Sequence, residues 1–255
     1  MELVDVLKNS YNLLRDRPKI FLPKIAENLV FSVLWLYLAN LLVDPLNTTL
    51  AEVIPLVLVW GAMTPVHVWV FNSYIMMVKL MDDGEFRLGK AFRQGFSRIP
   101  GTLGSMAITI GIAIAAAVPG LIVLYQGFTQ DSMTLMYMGI GWIVATAFTA
   151  FILSYLAPTS VILGSNSFKE NLKDGFKASN QLKGIIAVLT VITFGLLFLT
   201  ILLEGVLSHI GLAGYFIFRV CHAIINVYVL IINPSLLISA QKADIEGVNV
   251  SMEDL

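Results

Sequence analysis

The side chains best suited to chemistry lie close to the end of the chain. Arg219, His222, Asn226 and Asn233 are spaced 3, 4 and 7 apart, so one helix would carry all four on one face. They fall inside a long apolar run, where an ionisable residue is costly enough to mark a functional site or a buried pair by default. Arg219 is about seven residues, or roughly 10 Å, inside the outer end of that run. Glu204 lies at a similar depth on the preceding run, four residues before the intervening turn. Two readings follow: an Arg219–Glu204 bridge that holds a helical hairpin, or a polar cavity lined by Arg219, His222, Asn226 and Asn233. In an earlier run Trp60, Thr64, His67 and Tyr74 share a face. A lone histidine there is expected to be an interhelical hydrogen-bond partner rather than a ligand.

Enzyme motifs are missing. There is no His-Glu-x-x-His, no Gly-x-Ser-x-Gly, no P-loop and no carboxylate pair within the apolar runs. Three scattered histidines and the single Cys221 make no metal site, and no disulfide can form within the chain. Asp82-Asp83-Gly84 matches the start of a phosphatidyl-alcohol transferase motif but lacks its downstream carboxylates. The expectation is a non-enzymatic protein without metal or cofactor, and nothing suggests nucleic acid as a partner. Asn47-Thr48-Thr49 is a glycosylation sequon set very close to the membrane.

The elements that must position these residues are set by composition. Of 255 residues 57% are hydrophobic and only 13% charged, and the mean hydropathy is +0.82, whereas water-soluble domains carry about 25% charged residues. Runs of the length needed to cross a hydrocarbon core of about 30 Å recur along the chain. Six spans are expected, at about 25–43, 53–79, 101–125, 134–163, 184–207 and 212–239. Lys24 and Glu27 would lie near the interface, and Pro55 and Pro65 could kink the second span. Gly101, Ser105, Thr109, Ala113 and Ala117 form a four-residue ladder of small side chains, which suits close helix packing in lipid. The N-terminal residues lack the basic region and cleavage site of a signal peptide, so the first span is expected to act as its own insertion signal. The tail 246–255 is short and acidic.

A five-residue phrase organises the whole. It reads Leu7-Lys8-Asn9-Ser10-Tyr11, Phe92-Arg93-Gln94-Gly95-Phe96 and Leu172-Lys173-Asp174-Gly175-Phe176, with the copies 85 and 80 residues apart. Each copy lies in a segment of helical period too polar to span. The apolar stripes are Leu3, Val6, Leu7, Ser10/Tyr11 and Leu14; Leu88, Phe92, Phe96 and Ile99; and Phe168, Leu172, Gly175/Phe176 and Ser179. A second set, Asn72-Ser73-Tyr74, Ala157-Pro158-Thr159 and Asn233-Pro234-Ser235, recurs late in the even spans. Asn72 and Asn233 are expected to cap or bridge backbone loosened by Pro158 and Pro234 in the related spans. The fold class expected is therefore all-α, a single membrane domain 1–255 built from three repeats, about 1–85, 86–167 and 168–245. Each repeat is an amphipathic helix followed by a two-span hairpin.

Charge sets the orientation. Fifteen of the 16 Lys and Arg residues lie in the N-terminal segment, the 79–98 and 169–183 connections, or the tail, and the sixteenth is Arg219. The positive-inside rule then puts both termini in the cytoplasm of a multi-pass plasma-membrane protein. Lys8, Arg93 and Lys173 become contacts to inner-leaflet lipid or to a cytoplasmic partner protein, with each basic residue contributing about 1 kcal/mol of attraction to an anionic leaflet.

The phrases Phe92-Arg93-Gln94-Gly95-Phe96 and Leu172-Lys173-Asp174-Gly175-Phe176, each following an even span with a proline (Pro158) or its equivalent, resemble the membrane domain of glycerophosphoryl diester phosphodiesterases and related six-span archaeal and bacterial families of unknown function. The resemblance covers nearly the whole chain. In those enzymes the catalytic residues lie on a separate soluble barrel that this sequence does not contain, so it implies a lipid-associated membrane module without the activity. Lipid or partner binding, with a role in transport or envelope maintenance, is the function expected. The alternatives are the permease subunit of an ATP-driven exporter and a secondary transporter that uses the Arg219 face.

Overall fold

The computed structural model describes residues 3–41 and 50–245. The turn at 44–49 with its sequon, the outer end of the first expected span at 42–43 and the tail 246–255 lie outside the described residues. Among those described, the chain is all-α and contains no strand. In order the helices are α1 (Leu3–Asp16), α2 (Phe21–Leu41), α3 (Leu50–Asp82), α4 (Leu88–Ser97), α5 (Ile99–Thr129), α6 (Met133–Ser154), α7 (Ala157–Leu163), α8 (Phe168–Gln181), α9 (Lys183–Ser208) and α10 (Leu212–Ile245).

Local signals account for the boundaries. Asp5 in the first turn of α1 and Arg15 in its last oppose the helix dipole with the correct sign. Pro18 then opens a 3-10 turn, Pro18–Ile20, that leads into α2. Gly211, between α9 and α10, has φ of 70°, a left-handed conformation that a side chain would disfavour. Ser167 and Glu170 form a reciprocal capping box at the start of α8: the Ser167 N–H donates to Glu170 Oε2 at 3.1 Å, and the Glu170 N–H donates to Ser167 Oγ at 3.4 Å.

By length and composition four stretches are able to cross a membrane: Ile99–Thr129, Met133–Leu163, Lys183–Leu207 and Leu212–Lys242. That is compatible with an integral membrane protein. The first two expected spans correspond to α2 and α3, helices of 21 and 33 residues.

The fourth expected span is not one continuous helix. It breaks at Tyr155-Leu156, just before Pro158, whose ring lacks an N–H and clashes with the carbonyl four residues back. The Leu156 N–H freed nearby donates to Ser179 Oγ of α8 at 2.9 Å. Pro234, in contrast, lies within the continuous α10.

The chain forms two compact units, residues 1–99 with 191–255, and residues 100–190. Their boundaries fall at the start of α5 and inside α9 rather than between the sequence repeats. In the first unit α2, α3 and α10 pack together, with Tyr74, Ile75, Met77, Val227, Ile231 and Leu236 fully buried. In the second, α5 and α6 touch at Gly120, Gly127 and Gly139 as a hairpin, and α7 packs on α8. The closest α5–α6 approach is not along the expected small-residue ladder. A Cβ on Gly139 would stand 2.6 Å from Leu124 N and 2.8 Å from Gly120 O, and one on Gly127 would stand 2.7 Å from Met136 N. Ser105 of the ladder is buried, whereas Ala113 and Ala117 are only half-buried. A four-residue repeat drifts around a helix of 3.6 residues per turn, so it cannot face one neighbour along the whole of α5.

Candidate functional site

The first unit contains a buried polar cluster. On α2 Glu27 and Asn28 lie three and four positions after Lys24, and Ser32 four after Asn28, so the four residues form one stripe. The Glu27 carboxylate, 3% exposed, is fully engaged: Lys24 Nζ donates to Oε2 at 2.7 Å, and His67 Nδ1 of α3 lies 2.7 Å from Oε1. Tyr74, fully buried on α3, donates its hydroxyl to Ile20 O at 2.6 Å and accepts from the Lys24 N–H at 3.2 Å. The partner expected for His67 is thus Glu27. Lys24 and Glu27 are buried within the unit, where their charges satisfy each other one helical turn apart. Their (i, i+3) spacing was the available signal; which helix would cover them was not.

Arg219 stands beside this stripe. Asn28 Nδ2 donates to Arg219 O at 3.4 Å. Its guanidinium turns back along α10: Nη2 donates to Tyr215 Oη at 3.0 Å, and Cζ lies 4.9 Å and 5.7 Å from the ring centres of Tyr215 and Phe218. The Arg219–Glu204 bridge is not formed, and Glu204 is exposed. Aromatic faces and a hydroxyl within one turn hold the cation without unwinding the hairpin. Arg219 Nε and His222 Nδ1 are both buried without a partner. An unpaired buried polar group costs about 1–3 kcal/mol. Asn226 and Asn233 are half-buried on the same helix, and Asn233 Oδ1 is also unpartnered. Asn233 is fourteen residues beyond Arg219, about 21 Å along the axis, so the four residues share a face but not a depth. Among the described residues no three His, Cys, Asp or Glu side chains converge as a metal would require.

The second feature is how the three short polar helices are seated. In α4 the buried positions are Ala91 and Gly95. A Cβ on Gly95 would stand 2.8 Å from Ser73 N, so this glycine lets α4 lie directly on the α3 backbone. Asn72 Nδ2 donates to Gly95 O at 3.1 Å, and Trp69 Nε1 donates to Phe92 O at 2.8 Å. In α8 Gly175 sits on α7 in the same way, where a Cβ would stand 2.6 Å from Ala157 Cα; Ser179 Oγ donates to Gly175 O at 2.9 Å. In α1 the phrase's small residue, Ser10, is buried, and Tyr228 of α10 donates to Leu7 O at 3.3 Å.

The buried Leu3, Val6, Ser10 and Leu14 of α1, and Gly175 and Ser179 of α8, lie on the apolar stripes read from the sequence, whereas in α4 the inward face is offset to Ala91 and Gly95. The aromatic that follows the small residue is left outside: Tyr11 is 57% and Phe96 62% exposed. Backbone contact at a glycine brings the helices closer than a row of aromatic side chains would allow, so the aromatics are turned aside. Lys8, Arg93 and Lys173 are all exposed and take part in no ion pair among the described residues.

No family model matches the chain, and no curated protein or solved structure shows significant similarity to it.

Proposed function

We propose that the protein is a non-enzymatic, six-span plasma-membrane protein whose three short polar helices lie on the cytoplasmic leaflet and bind the headgroups of anionic lipids. Both termini are cytoplasmic in this reading. The chain is a threefold repeat of the type found in the membrane domain of glycerophosphoryl diester phosphodiesterases. The observation that carries the proposal is the shared seating of the phrase. Its small residue is buried in all three copies, its basic residue is exposed in all three, and an aromatic follows one turn later. Lys8–Tyr11, Arg93–Phe96 and Lys173–Phe176 each offer a cation for a phosphate and a ring suited to the headgroup boundary. The asymmetric distribution of Lys and Arg supports the orientation, and the four membrane-length stretches support the class.

The test is lipid retention by the triple variant K8Q/R93Q/K173Q in nanodiscs of mixed phosphatidylglycerol and phosphatidylcholine, read by native mass spectrometry. Removing three cations should weaken the preference for the anionic lipid by about 3 kcal/mol, on the order of a hundredfold. An unchanged lipid complement overturns the proposal.

A further inference from the structure

The first unit's interior charges do not balance. Lys24 and Glu27 neutralise each other, and the second carboxylate oxygen of Glu27 is taken by His67. Arg219 is then left with no carboxylate partner. Its contacts are a phenol and two aromatic rings, which supply no opposite charge. One turn further along α10, His222 presents a second buried nitrogen without a partner, and it lies within electrostatic reach of Arg219, Lys24 and Glu204. Glu204 is exposed and pairs with neither.

We infer that Arg219 and His222 bind an oxyanion, a phosphate or a carboxylate, supplied from outside the chain. The ligand class follows from the donors. A guanidinium's Nε edge and an imidazole three residues away on the same face, whose unpartnered Nδ1 can carry a proton, suit an acceptor with at least two oxygens. A carboxylate or phosphate also brings the missing negative charge. Depth narrows the source further. Arg219 is seven residues from the start of α10, about 10 Å down a membrane-length helix, where an oxyanion tethered to an acyl chain arrives with its own apolar anchor. A free phosphate is the other source of the same chemistry. The site is distinct from the exposed Lys8, Arg93 and Lys173 positions and stands or falls separately from them.

The experiment uses the full chain in the K8Q/R93Q/K173Q background, so that leaflet binding at those residues does not contribute. Thermal unfolding is followed in phosphatidylcholine nanodiscs, in the same discs with inorganic phosphate, and in discs containing phosphatidylglycerol. Reaction of Cys221, the chain's one thiol, with a fluorogenic reagent reports unfolding. Stabilisation by several degrees that is lost in R219Q supports the site. An effect confined to the phosphatidylglycerol discs identifies a lipid headgroup, and an effect of phosphate alone identifies a soluble anion. No stabilisation in either arm, or equal stabilisation in R219Q, overturns the inference. Should R219Q fail to fold, nitrogen-15 arginine spectra of the protein with Arg219 intact decide instead. The water-protected Nε–H resonance should shift downfield with phosphate or phosphatidylglycerol. A resonance that shifts only in E204Q, with no ligand added, would show an intramolecular partner and also overturn it.

Discussion

In the first unit α2, α3 and α10 meet through ionised and hydrogen-bonding side chains, whereas in the second α5 and α6 meet through backbone. Glu27 ties Lys24 to His67, and Tyr74 ties α3 to the entry of α2. In the α5–α6 hairpin, Gly120, Gly127 and Gly139 remove the side chains that would separate the helices, and Trp142 Nε1 donates across the hairpin to Ala116 O at 3.1 Å. Helices in lipid gain nothing from hiding apolar surface from one another, so association rests on close contact or on polar groups. The two means differ in what they tolerate. A polar cluster is sensitive to charge and indifferent to small changes of volume nearby; a glycine contact is the reverse.

The largest way to break that contrast is Glu27→Gln. It leaves Lys24 buried without its counter-charge, and we expect a loss of about 3–5 kcal/mol, the range for breaking a buried pair from one side. The double variant K24M/E27L removes both charges and should recover most of that stability. Unfolding followed through Cys221 measures both, and a double variant as unstable as the single one would mean that hydrogen bonding to His67, not charge balance, dominates. Next in size, Gly139→Ala should cost about 1–3 kcal/mol by overpacking, because its nearest neighbours are backbone atoms that cannot rotate away. The same change should leave the Glu27 effect unaltered, since the sites share no partner.

The smallest effect lies outside both regions, at the cap of α8. Ser167→Ala removes the acceptor of the Glu170 N–H and should cost about 1 kcal/mol. It should also change a pH dependence. Hydrogen bonds from the Ser167 hydroxyl and N–H hold the Glu170 carboxyl below the usual carboxylate range. Its contribution is therefore full above the ordinary glutamate value and lost as pH falls through the depressed folded value. Melting curves at acidic pH should show that loss in the unmutated protein and a smaller one in Ser167→Ala, which keeps only the backbone donor.

Much of this molecule is legible in its residues because each signal acts within a turn or two. Pro18 ends α1, the Ser167/Glu170 spacing starts α8, and the apolar runs set the lengths of α5, α9 and α10. Three features were not legible. The inward face of α4 is offset from its aromatic stripe because glycine-to-backbone contact decided the packing, and apolarity does not encode that. The Glu27–His67 bond joins residues forty positions apart, and no local pattern pairs them. Arg219 bonds back to Tyr215 rather than across to Glu204, a choice among neighbours that were all within reach on paper.

By itself the sequence determines an all-α chain with membrane-length apolar runs, a recurring basic–small–aromatic phrase and a one-sided distribution of positive charge. These are properties of composition and period, which survive whatever the helices pack against. Only the tertiary structure decides that the glycines of the phrase in α4 and α8 sit on α3 and α7, that Lys24 and Glu27 are interior, and that Arg219 Nε and His222 Nδ1 are buried without partners. Each depends on which surfaces meet, and in a helix every residue offers its side chain to a partner that the local sequence does not name.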